Sequence, residues 1–252
     1  MIARRGATLL TSALVTGLAL AGCGGDDGDS ADDVAAPAES AAPDTNGVED
    51  LNADEILEEA RDAATAADSV RISGEVVDDG STIIIDMQYS GDGSNGTIGA
   101  DGATMELLRV GTDEYYMKAD AETWEQLTGE AASGDIFADR YVRIPGDDES
   151  LGDLTSFLDF ESFVEEALDP DGTLEKGETA EVNGVQAIGV VDPDSEDGGT
   201  LWVALTGEPY PLRIESPEGS GEGAIDFLDW GQAVDIQAPA EDEVIDLSGL
   251  MD

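Results

Sequence analysis

Residues 69–89, SVRISGEVVDDGSTIIIDMQY, decide the fold. Val70, Ile72 and Val76 alternate with Arg71, Ser73 and Glu75. After Asp78-Asp79-Gly80, Ile83, Ile85, Met87 and Tyr89 alternate with Ile84, Asp86 and Gln88. Successive side chains of a strand point to opposite faces, so one apolar set repeating every second residue marks a half-buried strand. Asp and Gly between two such runs mark a hairpin turn. The same pattern continues downstream. Gly91-Asp92-Gly93 turns into a short strand around Thr97 and Ile98, Asp101-Gly102 into Thr104–Val110, and Gly111-Thr112-Asp113 into Glu114–Lys118. Trp124–Leu127 reads as a further short strand. Six such segments, spaced about ten residues apart, predict an antiparallel meander.

Two helical stretches frame this meander. Asn52-Ala53-Asp54-Glu55 has the form of a capping box, and Ile56, Ala60, Ala63 and Ala67 recur at helical spacing beside Leu57 and Ala64. The result is an amphipathic helix with a narrow, Ala-rich face. A second helical stretch runs from about Ser150 to Leu168, with Ser150 and Asp153 at its start and a break near Asp159. Its wide apolar face carries Leu154, Phe157, Leu158, Phe160, Phe163, Val164 and Leu168. Strands then resume as Leu174–Val182, Val185–Val191, Leu201–Leu205, Tyr210–Glu215, Gly223–Asp229 and Ala233–Ile236. Asn183-Gly184 supplies a strong two-residue hairpin signal. Twist accumulates across strands, so so long a sheet must curl or close. The expected fold class is α+β: a long curved antiparallel sheet, a half-barrel of about 11 strands, wrapped over two helical segments.

The N-terminus reads as an address. Residues 1–22 hold Arg4 and Arg5, an apolar run from Ala7 to Leu20, and small residues, the three parts of a secretory signal. The run is shorter than the ~20 residues of a membrane-spanning helix. Leu20-Ala21-Gly22-Cys23 carries the one cysteine of the chain and resembles the bacterial lipobox, in which the Cys is acylated on sulfur and becomes the new N-terminus. An ordinary signal peptide with an accidental Cys is the alternative. Residues 23–51 are acidic, lack aromatics and read as a disordered tether, which leaves 52–252 as the folded domain. The expected location is the extracytoplasmic face of a cell membrane, lipid-anchored through Cys23.

Charge and composition exclude several functions. The chain holds 59 acidic and 10 basic residues, no histidine, and a net charge of −49. Such a chain repels phosphate backbones, so nucleic acid is not a partner. Without an imidazole, a serine nucleophile would need a lysine base, and neither Lys118 nor Lys176 has a Ser placed beside it by any motif. Carboxylates are so numerous that a pair of them signals nothing. The chain is not read as an enzyme. Asp192-Pro193-Asp194-Ser195-Glu196-Asp197-Gly198 begins like a calcium loop, but its sixth position is Asp197 rather than Gly, and its twelfth is Val203 rather than Glu. Asp169-Pro170-Asp171-Gly172 lacks a ligand series behind it. Both read as turns, and no metal and no cofactor is expected. The acidity itself reads as surface solvation, with a cationic partner as the alternative.

Several phrases then carry a resemblance: Leu108–Lys118 (LRVGTDEYYMK), Gly199–Val203 (GTLWV), Pro209–Ile214 (PYPLRI) and Phe227–Gly231 through Ala238-Pro239. With the lipobox, the tether, the Ala-rich helix and the interrupted meander, the chain resembles the LolA-like superfamily over about residues 50–247, in particular actinobacterial lipoproteins of the LppX/LprG type. The resemblance implies a half-open barrel over helices, whose cavity takes an acylated lipid or lipidated glycan. It implies a role in lipid binding or transfer, with the membrane and an envelope transporter as partners. The acidity departs from that family and disfavours an anionic head group at a cavity mouth. Candidate lining residues are Ile83, Ile85, Met87, Met105, Leu107, Met117, Leu201, Val203 and Leu205 from the sheet. Facing them are Leu154, Phe157, Phe160, Val164 and Leu168 from the second helical stretch. The same residues also fit ordinary core filling, and Trp124, Trp202 and Trp230 fit either a portal or packing. The competing function is a structural, sensor or assembly lipoprotein whose interior is filled by its own side chains.

Overall fold

The computed structural model describes residues 45–78, 80–100, 102–130, 134, 136–144, 157–170, 172–193, 199–216 and 223–246. The chain divides into two units, residues 1–42 and 43–252, and every described residue lies in the second. The signal segment, Cys23, most of the tether, and Ser150, Asp153 and Leu154 lie outside the described residues.

The period of two read from the sequence becomes one sheet. Its strands are β1 (Ser69–Asp78), β2 (Ser81–Ser90), β3 (Gly93–Ala100), β4 (Ala103–Val110), β5 (Glu114–Ala119) and β6 (Tyr141–Ile144). They are followed by β7 (Glu175–Val182), β8 (Val185–Val191), β9 (Thr200–Ala204), β10 (Pro211–Glu215), β11 (Ala224–Leu228) and β12 (Val244–Asp246). Their order across the sheet is β12-β6-β5-β4-β3-β2-β1-β11-β10-β9-β8-β7. The chain starts in the middle at β1, meanders out to β6, crosses to the far edge at β7, and meanders back until β11 pairs with β1. The expected curved antiparallel α+β architecture is present, with 12 strands. One pairing departs from it, because β12 runs parallel to β6.

Among the described residues the sheet is accompanied by α1 (Ala53–Ala66), α2 (Ala121–Thr128) and α3 (Phe160–Ala167), so helix is present outside the two expected stretches. The capping box of α1 forms as read: the Asn52 side chain accepts from the Glu55 amide, and the Glu55 carboxylate accepts from the Asn52 amide, both at 3.1 Å. The expected strand at Trp124–Leu127 is instead α2. Asp120 caps it by accepting from the Thr123 amide at 2.8 Å, and Gly129, at φ 72°, stops it in the left-handed region. Those two end signals override a short alternation, and they bury Trp124 against Phe137 with ring centroids 5.3 Å apart. The predicted break at Asp159 is where α3 begins, with Asp159 accepting from the Ser162 amide at 3.0 Å.

The remaining differences lie near the chain ends. Ala233–Ile236 is not a strand; Ile236 packs instead on Leu108 and Tyr116, on the outer face of β4 and β5. Residues 46–51, placed in the tether by composition, are part of the folded unit. Asn46 Nδ2 donates to the carbonyls of Ala204 (2.9 Å) and Gly207 (3.2 Å), Val48 is 5 % exposed, and Lys176 Nζ donates to the carbonyls of Glu49 and Leu51.

Candidate inner-face trough

Register decides which side chains share the inner face. Met87, Gly96, Leu107, Met117 and Val142 stand side by side across β2–β6. The next row holds Ile85, Ile98, Met105 and Ala119. On the other side lies a row of Tyr89, Ser94, Arg109, Tyr115 and Ile144. A Cβ on Gly96 would fall 2.1 Å from the Asp86 carbonyl oxygen and 2.7 Å from the Met87 sulfur, so β2 and β3 pack this closely only with glycine at that position. The first two rows are apolar throughout. The third is not.

That third row fastens the crossover onto the face. Tyr89 Oη donates to the Phe157 carbonyl at 2.8 Å, and Ser94 Oγ to the Leu158 carbonyl at 2.7 Å. Arg109 Nη1 meets Asp159 Oδ2 at 2.9 Å, with the Arg109 side chain 14 % exposed. Burial pushes the Tyr89 phenol far above its ordinary range. Burial also acts to raise Asp159. The Ser162 amide and hydroxyl together with Arg109 outweigh it and hold the carboxyl below its ordinary value. At the far end of α3, the Arg61 guanidinium donates to the Leu168 carbonyl and lies 3.6 Å from Asp169. A carboxylate at the first turn and a cation at the last both suit the helix dipole.

Two apolar clusters result. The first joins the β1–β6 inner face to Leu158, Phe163 and Phe227; the second joins Ile56, Leu57, Ala60 and Ala64 of α1 to Ile188, Val190, Leu201, Val203 and Leu205. Phe160, Ile214 and Trp230 touch both. Of the residues expected to line a cavity, Ile85, Met87, Leu107 and Met117 are buried in the first cluster, and Ile83, Met105, Phe157 and Phe160 are half-buried against it. Val164, Leu168, Leu201, Val203 and Leu205 lie in the second. The structure therefore brings the expected residues into two bodies bridged by Phe160. Sequence reading assigned none of Tyr89, Ser94, Arg109 and Asp159 to the candidate lining, although strand parity alone puts the first three inward.

The tryptophans separate. Trp202 sits on the outer face, its Nε1 donating to Glu215 Oε2 at 2.9 Å, so it lines no inner portal. Trp230 stacks on Tyr210 with centroids 4.5 Å apart and donates to the Pro211 carbonyl at 3.0 Å. A groove of about 480 Å³ runs between α1 and α3, lined by Arg61, Thr65, Glu161, Val164, Glu165 and Asp169. Among the described residues, no group of three or more His, Cys, Asp or Glu side chains is placed to hold a metal ion. None of their helices is long and apolar enough to cross a membrane.

No protein family profile and no curated protein matches the chain. Solved structures similar to it include LprF from Mycobacterium bovis, 16 % identical with a TM-score of 0.49, over 75 % of this chain and 97 % of that one. The lipoprotein LppX from Mycobacterium tuberculosis is 16 % identical with a TM-score of 0.43, over 73 % of this chain and 99 % of that one. An uncharacterized conserved protein from Thermus thermophilus is 12 % identical with a TM-score of 0.39, over 77 % of this chain and 98 % of that one.

Proposed function

We propose that this chain is a non-catalytic lipoprotein, anchored through acylated Cys23 on the extracytoplasmic face of a membrane, which binds or transfers a lipid or lipidated glycan along its inner face. One observation carries the reading. The Met87 and Ile85 rows form an apolar strip across β2–β5, and a short helix packs over this face, pinned at its N-terminal end by side-chain hydrogen bonds. The three methionines between the chain termini, Met87, Met105 and Met117, all lie on that strip. Unbranched and polarizable, methionine repacks around guests of varied shape. An acyl chain moving from water onto such a strip gains about 0.8 kcal/mol per methylene, so about a dozen methylenes offset the cost of association. Delivery to an envelope transporter is the partner relation that fits a tethered carrier.

The test is extraction of the full chain with organic solvent, followed by mass spectrometry of the extract. A stoichiometric lipid supports the reading, and so does saturable binding of a pyrene-labelled acyl chain to delipidated protein. A chain that yields no lipid and ignores the probe overturns it. The anchor is tested separately, since Cys23→Ser should move the protein from the membrane fraction to the soluble one. The second reading, a ligand-free structural, sensor or assembly lipoprotein, is favoured by the completeness of the core: Met87, Leu107 and Val203 are each 0 % exposed.

A further inference from the structure

Among the described residues, Arg109 is the sole charged side chain on the inner face of β2–β5. A guanidinium taken out of water is costly unless an anion meets it. Here the anion is Asp159, and the segment that carries it also inserts Leu158 and Phe163 into the apolar cluster beneath. Carboxylate and greasy body arrive together on one strip of chain. That is the chemical outline of an anionic amphiphile.

The fit at Arg109 is incomplete. Asp159 reaches it with Oδ2 alone, while Oδ1 accepts from the Ser162 amide and hydroxyl, both at 3.0 Å. The Arg109 Nε is buried and has no hydrogen-bond partner. A guanidinium offers a planar fork that matches both oxygens of a carboxylate. Asp159 cannot fill that fork without giving up its role as helix cap. A free carboxylate has no such commitment.

We propose that the inner face of β2–β5 takes an amphiphile with a carboxylate head and one long apolar tail. The head sits on Arg109, in the place now held by Asp159. The tail lies across the inner face past Ser94 and Tyr89 toward Phe227, in the volume now filled by Leu158 and Phe163. Residues 157–163 are thus a built-in stand-in for the ligand, and binding exchanges one for the other. From β4 across β3, β2 and β1 to β11 there are four strand spacings, about 19 Å at ~4.8 Å each, the reach of a long acyl chain. The acidic exterior repels free anions only within a Debye length of ~8 Å at physiological salt, so it slows entry without cancelling a contact made at Arg109. This inference rests on the lipid-binding reading above and specifies its head group.

The experiment titrates the full chain with pyrene-labelled dodecanoic acid and, separately, with pyrene-labelled dodecanol, following probe fluorescence. The acid should bind about tenfold more tightly than the alcohol, the value of one charge-assisted bond. Arg109→Met should bring the acid-to-alcohol ratio to unity or below. Asp159→Asn removes the competing carboxylate and should raise acid affinity severalfold; should Arg109→Met fail to fold, this half-exposed position still decides the matter. Equal binding of acid and alcohol by the native chain, or a preference that survives Arg109→Met, overturns the head-group assignment and leaves the lipid reading standing. Failure of both probes to bind overturns the two together.

Discussion

The two halves of the sheet solve the same packing problem with different materials. In β1–β6 the first four strands are eight to ten residues long, and the inner face of this half carries Met87, Met105, Leu107 and Met117 beneath a pinned crossover. In β7–β11 the last three strands have five residues each, and the inner face of this half, with Ile188, Val190, Leu201 and Val203, meets the small residues Ala60 and Ala64 of α1. β-branched side chains have few rotamers, and alanine brings a helix close, so that half is a fixed frame. Methionine and the one guanidinium on the inner face of β2–β5 among the described residues are what the exchange proposed above would use in the other half. The difference teaches that the rigid packing and the adaptable packing of this sheet are kept in separate halves.

The largest effect that separates the halves is cavity formation. Met87→Ala should cost about 2–5 kcal/mol, as should Ile56→Ala on α1. Added dodecanol should recover part of the loss in Met87→Ala and none in Ile56→Ala. Equal recovery, read from urea midpoints, would break the comparison. Overpacking comes next. Ala60→Leu should cost about 1–3 kcal/mol because α1 has no room to retreat, whereas Met105→Leu should cost under about 1.5 kcal/mol. Loss of the α1 capping box by Asn52→Ala should cost about 1 kcal/mol and lower the thermal midpoint without altering probe binding. The smallest effect is on pH. The Arg71 guanidinium holds Asp86 below its ordinary value, and Asp226 is also lowered: burial opposes this, but Arg213 and Asn183 outweigh it. Their contribution is present above the unfolded carboxylate value of ~3.9 and is lost as pH falls through the lowered folded values. Urea midpoints should therefore fall below about pH 4, less so in Asp86→Asn.

Much of the frame was legible because it is local. Asn183 and Gly184, at φ 51° and 81°, form the left-handed pair that a two-residue hairpin needs, and the Asn52–Glu55 box closes within four residues. The misreadings share a cause. At Trp124–Leu127 the decisive signals lie outside the segment, in Asp120 and Gly129. Tyr141–Ile144 is too short to show a period, and β12 joins it from a hundred residues downstream by a parallel pairing that no turn announces. The apolar part of the trough followed from parity. Its polar row did not, because the pattern was sought in apolar residues while Arg109 meets Asp159 fifty residues away.

The seam between β1 and β11 has a consequence for how the chain folds. It joins residues 71–75 to residues 224–228, so the sheet cannot be completed until nearly the whole polypeptide is available. The closure entropy of so long a loop is met before the seam repays it, which makes the last step slow. Whatever ribosome or pore releases this protein, a nascent chain that stops short of residue 224 leaves one edge of β1 raw, and a late C-terminal truncation should fail by aggregation rather than by loss of a single contact.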